Sequence, residues 1–435
     1  MLNAENELKK WAPVIEHADA PAIEDSYKKA VTAKLLENTE VALREEAQAA
    51  TFSLNEDANT GTGSIVNPNP VLISLVRRAM PNLIAYDVAG VQPMSGPTGL
   101  IFAMKARFGA EAGAGSSSAI TTSSDEAFAG ELENGTTNEP DTDFSGTGTQ
   151  AAGLFDSPES NIKTGTGLDV ADGESASGDT GLAEMGFTIQ KSLVSAKTRQ
   201  LKAEYSMELA QDLKAVHGLD AESELANILS GEILAEINRE VIRSIVVSGR
   251  TGGVGSTEAF DLVSDADGRW AVEKFQSLIF QIEKEANTIA RQTRRGKGNY
   301  VIASSNVASA LAATGGLKFG GGEGLSVDDA GNTFAGTLNG GLKVYIDPYA
   351  TTDYATVGYK GASPYDAGIY YCPYVPLTMV RAVGENSFQP KIAFKTRYGL
   401  VANPLNGVVD GVGGAGSNPY FRTFRVKRIN QGLQS

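Results

Sequence analysis

The strongest periodicity in the chain lies near its middle. Leu225, Leu229, Ile233, Ile237, Val241 and Ile245 recur every four residues, with Ile228, Leu234 and Ile242 beside them. This spacing predicts a helix of about 28 residues, about 40 Å long at its usual rise. Asp220 is placed to cap it, with Glu222 and Glu224 in its first turn. Ahead of it, a long helical region includes Tyr205 to Val216, closed by His217-Gly218. Further on, Val272, Phe275, Ile279, Ile282, Ala286 and Ile289 alternate steps of three and four. They form one apolar stripe of another helix, ending at Arg294-Arg-Gly-Lys-Gly298.

Shorter patterns predict strands. Leu83 to Val91 and Leu100 to Phe108 read as two, parted by the turn Ser95-Gly-Pro-Thr-Gly99, and Phe187 to Leu193 as a returning one. Tyr300 to Ala303 reads as a strand, Ser304 or Ser305 as a cap, and Val307 to Ala313 as a short helix closed by Gly315-Gly316. Leu342 to Ile346, Tyr354 to Tyr359, Ala367 to Tyr371, Lys391 to Tyr398 and Tyr420 to Ile429 read as strands. Val71 to Met80 is a short apolar helix, with Arg77 and Arg78 near its end and Pro81 stopping it. Helices and strands are segregated rather than alternating, so the predicted class is α+β.

Charge changes this picture. The chain has 435 residues, 41% of them hydrophobic, and a net charge of −15. Residues 1–56 are helix-prone and carry 11 acidic against 6 basic side chains. Residues 111–182 carry 14 acidic side chains and one basic, Lys163, among Gly, Ser, Thr and Ala. These two segments hold −5 and −13, which leaves +3 for the rest. Residues 111–182 are too poor in large apolar side chains to offset their own ordering entropy. They form either a mobile loop or a small insertion held by neighbours. The overall acidity points away from direct DNA reading.

The inventory of reactive side chains is thin. Cys372 is the only cysteine, so an internal disulfide and a multi-cysteine metal site are excluded. The two histidines, His17 and His217, are far apart in sequence, which leaves little material for hydrolytic or metal chemistry. Cys372 sits in the aromatic stretch Tyr370-Tyr-Cys-Pro-Tyr374 and reads as a buried, inert thiol. Gly296-Lys297-Gly298 resembles a phosphate loop but fails its spacing, because Arg291 stands where glycine is needed and Gly298 where Ser or Thr is needed. Asp141-Thr-Asp143 and the stretch Asp169 to Asp172 lack a glutamate at calcium-loop spacing and read as solvated charge. The sequence shows neither a signal core nor a membrane-length apolar run, and reads as a chain of a reducing cytosol. No catalytic residue, cofactor or metal is expected.

Several collinear stretches carry a resemblance. They include Leu75-Val-Arg-Arg-Ala-Met-Pro-Asn-Leu-Ile-Ala85, Gly90-Val-Gln-Pro-Met94, Arg199-Gln-Leu-Lys-Ala-Glu-Tyr-Ser206 and Glu208-Leu-Ala-Gln-Asp-Leu-Lys-Ala-Val-His-Gly218. Downstream come Val344-Tyr-Ile-Asp347, Asp366-Ala-Gly-Ile-Tyr-Tyr371 and Phe394-Lys-Thr-Arg-Tyr-Gly399. In these the chain resembles the major capsid proteins of T-even-type tailed bacteriophages. The resemblance spans most of the chain outside 111–182, 251–266 and 405–419.

The resemblance implies the Hong Kong 97-type capsid fold. Residues 1–56 would be a scaffold-binding segment removed during prohead maturation, and 57–90 the N-terminal arm and the start of the peripheral domain. Residues 91–200 would be the extended loop with its insertion 111–182. Residues 201–295 would be the peripheral-domain helices, 296–385 the axial domain, and 386–435 the return to the peripheral domain. The family's prohead protease cuts after Glu in an aliphatic-x-Glu pattern. Leu54-Asn-Glu56 fits, as do Leu35-Leu-Glu37 and Leu43-Arg-Glu45. Glu56 is preferred because it borders the linker Ala58 to Ser64, although Asp57 departs from the small residue the family favours next. Arg77, Arg78, Arg107 and Lys163 are candidate inter-subunit contacts.

The implied partners are further copies in hexamers or pentamers, a scaffold protein, the protease, portal, vertex and decoration proteins, and packaged DNA held without sequence reading. The implied location is the virion capsid, assembled in the bacterial cytoplasm, with no membrane. Rival readings are a vertex paralogue, a cellular nanocompartment shell, a secreted adhesin and an enzyme with a sugar-binding loop.

Overall fold

The four-residue repeat folds as one unbroken helix over Ala221–Ser248. Leu229, Ile233, Ile237, Val241 and Ile245 are all buried in it, each side chain contributing about 1.5–3 kcal/mol on leaving water. The computed structural model describes residues 2–16, 23, 25–54, 83–108, 146–147, 166–167, 185–253, 259–266, 270–293, 295–318, 326–327, 333–338, 341–384, 389–404 and 411–429. The helix expected over 71–80 and the acidic residues 141–143 and 169–172 lie outside these.

The chain begins with helices α1 (Leu2–Ile15), α2 (Ser26–Leu54) and the short α3 (Ala85–Val88). Strands β1 (Gly90–Val91), β2 (Thr98–Phe108), β3 (Gly146–Thr147), β4 (Thr166–Gly167), β5 (Met185–Ser195) and β6 (Lys197–Glu204) follow. Next come α4 (Met207–His217), α5 (Ala221–Ser248), β7 (Gly249–Thr251), β8 (Ala259–Asp261) and α6 (Ala271–Thr293). Then come β9 (Tyr300–Ser304), α7 (Ser305–Ala313), β10 (Leu317–Lys318), β11 (Ser326–Val327), β12 (Thr333–Leu338), β13 (Leu342–Asp347) and β14 (Tyr354–Gly358). Three long strands remain, β15 (Ile369–Val383), β16 (Pro390–Ala402) and β17 (Asn418–Lys427).

The main sheet has the order β10-β12-β13-β9-β14-β17-β7, with β11 beside β12 and β8 beside β17. The second sheet has the order β1-β15-β16-β6. Strands β2 and β5 form a separate two-stranded ribbon. Helix α6 lays its stripe of Phe275, Leu278, Ile282, Ala286 and Ile289 on Val301, Val344, Val357 and Phe424 of the main sheet. Helix α5 buries its face in a second core with Tyr371, Ile392 and Phe394 of the smaller sheet and Tyr300 and Phe421 of the larger one. The architecture is α+β, with helices packed on mixed sheets.

Some expectations need correction. The strand expected over 83–91 is mostly a helical turn: Tyr86 N–H bonds Leu83 O at 3.1 Å and Val88 N–H bonds Ile84 O at 3.1 Å. Only Gly90–Val91 is strand. Leu83, Ile84, Ala85, Tyr86 and Val88 are all buried, so no alternation marks one state over the other. The helical region after 193 starts late, because Lys197–Glu204 is strand and Ser206 caps α4 by accepting from Leu209 N–H. Gly218 does close α4, at φ 67°. Asp220 occupies the cap position of α5 without a side-chain bond. Likewise Ser304, at the cap position of α7, gives its hydroxyl to Asp353 at 2.9 Å.

Candidate assembly surfaces

The β2–β5 ribbon has two unlike faces. Its register sets Leu100 opposite Leu193, Phe102 opposite Lys191, Met104 opposite Ile189 and Ala106 opposite Phe187. Side chains alternate along a strand, so these residues share one face. Leu100, Phe102, Met104, Phe187, Ile189 and Leu193 are each 50–72% exposed. On the opposite face Ile101 and Ser192 are buried against the body. The six form an exposed apolar patch on this face, with Lys191 set among them opposite Phe102.

The N-terminal helices form the second surface. They pair through Lys10 with Glu37 and Glu40 at 2.8 and 2.5 Å and Lys34 with Glu7 at 2.7 Å. Trp11 Nε1–H donates to Glu37 at 3.0 Å. The inner side of the pair joins the body's core: Trp11, Ile15, Val31, Leu35 and Leu36 are buried with Leu83, Tyr86, Val88, Tyr371 and Leu377. Asn38 Nδ2–H donates to Met94 O at 2.8 Å and to Tyr374 O at 2.9 Å. The Tyr27 hydroxyl donates to Val91 O, and the Lys28 ammonium lies 5.4 Å from the Tyr86 ring centre. Burial lifts the Tyr27 phenol to about 12, with Tyr365 and Cys372 adding to it.

A charged knot ties β6 to α5. Arg199 bonds Glu240 through Nε and Nη2 at 3.1 and 2.5 Å, and also reaches Glu236 and the Tyr398 hydroxyl. Hydrogen bonds and charge from Glu240 and Tyr398 outweigh partial burial and hold the guanidinium above its ordinary value. Its role is to fix the strand against the helix.

Nucleophilic and metal chemistry find little support here. Cys372 is buried, and that burial pushes its thiol up to about 12, far from a reactive thiolate. His217 is exposed at the end of α4, and His17 lies outside the described residues. Among the described residues no group of three His, Cys, Asp or Glu side chains could hold a metal ion, and no helix is long and apolar enough to cross a membrane. An open cleft beside α6, lined by Asp265, Glu273, Phe280, Gln281 and Lys284 among others, has no histidine or cysteine in its lining.

The residues singled out from sequence are scattered. Leu54 is the last residue of α2, and Arg107 lies in β2 opposite Gly186. Their side chains, together with Glu56, Asp57, Arg77, Arg78 and Lys163, fall outside the described residues. The sequence reading missed the ribbon face and the seat residues Tyr27 and Asn38. A signal for the ribbon existed in the alternation of Leu100, Phe102 and Met104. Nothing local marks Asn38, whose partner Tyr374 lies 336 positions away.

These features define a structural subunit, built around rigid sheets with an apolar ribbon and a docked terminal segment on its surface. Comparison with known proteins makes the class specific. Residues 65–426 match the family described as Major capsid protein Gp23, and the chain belongs to that family. It is 41% identical to the major capsid protein of Salmonella phage ViI, covering 98% of this chain and 99% of that one. It is 38% identical to the major capsid protein of Enterobacteria phage T4, covering 97% of this chain and 98% of the other. The capsid vertex protein of the same T4 phage is 32% identical over 52% of this chain and 55% of its own length. The chain is thus a major capsid protein of the T4-like type, a non-enzymatic component of the phage virion.

Proposed function

We propose that the chain builds the phage head in the Hong Kong 97-type manner, with the β2–β5 ribbon reaching over a neighbouring copy as the extended loop. The observation that carries this reading is the apolar ribbon face, six large side chains half or more exposed on a single chain. In this reading α5 is the spine of a peripheral domain built from 57–90, 201–295 and 386–435. Residues 296–385 form the axial domain around a capsomer's symmetry axis, and 91–200 form the extended loop with its acidic insertion 111–182. Arg77, Arg78, Arg107 and Lys163 are inter-subunit cations, and the acidic insertion meets the slightly basic body of the next copy. Copies join as hexamers, and the head adds scaffold, portal, vertex and decoration proteins around DNA held without sequence reading.

Residues 1–56 are the segment that meets the scaffold and is removed by the prohead protease, which cuts between Glu56 and Asp57. The described part of helix α2 runs to Leu54, two positions before Glu56. Mass spectrometry of the chain from mature particles tests the processing: a new N-terminus at Asp57 is expected, and an intact Met1 overturns it. Cryo-electron microscopy of the same particles tests the ribbon, which is expected over a neighbour and not folded back on its own body.

A further inference from the structure

The smaller sheet ends at β1, and an edge strand offers unpaired backbone groups to any passing chain. Beyond β1 the backbone keeps running along β15: Gln92 N–H bonds Tyr371 O and Met94 N–H bonds Pro373 O, both at 2.9 Å. The outward carbonyl of this edge, Val91 O, is taken by Tyr27 of α2, and Met94 O, on the side facing β15, is taken by Asn38. Asn38 also takes Tyr374 O, so one amide closes the seam between the edge and β15. Around these polar contacts Val31, Leu35 and Leu36 cover Tyr86, Val88 and Leu377. Most of the apolar side of the N-terminal pair is therefore spent on its own body, and its outer side is mainly polar, with Lys9, Lys10, Glu16 and Ser26 exposed beside Pro13 and Val41.

We propose that residues 1–54 act in cis as an edge cap, a latch whose Tyr27 and Asn38 hold the β1 edge of the smaller sheet shut against other chains until the segment is removed. This rests on the reading that the segment is removed in maturation. The latch makes that removal more than a clearing of space. It frees the edge acceptor Val91 O, the seam acceptor Met94 O and the apolar patch around Tyr86 only after the subunit is in place. It also divides the segment's tasks, with the polar outer side left for the scaffold and the inner side for its own chain.

Hydrogen–deuterium exchange on the full unprocessed chain tests the latch, and no protease takes part. Asn38→Leu keeps the size of the side chain and deletes both donors. It is expected to raise exchange about tenfold in 83–94 and 371–377 while the α5 amides keep the wild-type rate. Tyr27→Phe removes a single hydroxyl and is expected to give a smaller rise in 83–94 alone. It decides the matter should Asn38→Leu fail to fold by circular dichroism. Unchanged exchange at 83–94, or a rise spread evenly over the body, overturns the latch. An intact Met1 in mature particles overturns the processing step instead, so the two failures are distinguishable.

Discussion

Arg422 Nε lies 2.9 Å from Glu285 Oε2, joining β17 to α6 beneath the surface. The Glu285 side chain is only 4% exposed and also accepts the Gly253 N–H at 3.0 Å and Gln281 Nε2–H at 2.8 Å. Gly252 leaves room for this carboxylate, since a Cβ there would stand 2.8 Å from it. Arg422→Met strands a buried carboxylate and is expected to cost about 3–5 kcal/mol in urea unfolding. Adding Glu285→Gln removes the charge and keeps an acceptor for Gly253, so the double variant is expected to recover part of that loss. A double variant no more stable than the single one would show that packing and not charge holds the joint.

Lys360 gives a pH signature. Burial lowers its ammonium from 10.5 to about 8, and it donates to the Tyr86 carbonyl. Between about pH 8 and 10 the unfolded chain still binds this proton while the folded chain has released it. Lys360 therefore contributes a rise in stability with pH across that window, on the order of 2 kcal/mol, and the buried Cys372 thiol offsets part of it above about pH 9. Above about pH 10 the buried tyrosines, Tyr300 and Tyr371 among them, pull the other way, because burial raises their phenols. Lys360→Met is expected to flatten the rise between pH 8 and 10, read from urea midpoints. A rise that persists in the variant would assign it to another group.

How much of this was legible in the sequence depended on whether one face alone was buried. Helices α5 and α6 have such a face, and their four-residue and three-four spacings located both. Strand β6 buries nothing fully along its length, so Lys197–Glu204 carried no period to read. The sequence pattern reads as strand only over Ala367 to Tyr371, and beyond it Pro373 and Pro376 cannot donate to a ladder. The structure carries the strand on to Val383 by shifting register between Pro373 and Val375 and again between Val375 and Thr378. Family resemblance supplied what local pattern could not, the shell-building role. The seat of α2 on β15 escaped both routes, because contacts such as Asn38 to Tyr374 leave no local mark.

Arg199 should not tolerate the conservative change. Its guanidinium presents two nitrogens to Glu240 and another to Glu236, a fork that an ammonium cannot reproduce. The side chain is 29% exposed, so solvent screens part of the charge. Arg199→Lys is expected to cost about 1 kcal/mol in urea unfolding. It should also speed exchange in 197–204 relative to β16. Equal stability with slow exchange at β6 would mean that the β6–β16 ladder alone holds the strand.

Folding and assembly are separable at the ribbon face. Phe187 is 72% exposed and Ile189 65%, so neither holds much of the single chain together. Phe187→Asp and Ile189→Asp are each expected to leave the melting of the free subunit within about 0.5 kcal/mol of wild type. In a shell each copy repeats its contacts around the symmetry axes, so a loss of about 2 kcal/mol at one face recurs in every capsomer. The same two changes are therefore expected to abolish particles in an assembly assay while soluble protein accumulates. Val216→Asp supplies the control, because Val216 is 75% exposed on α4, outside the ribbon, and the change adds the same charge. It should assemble better than either variant. Normal particles from Phe187→Asp and Ile189→Asp would remove the ribbon face from the list of contacts between copies and leave the head to be held by other surfaces.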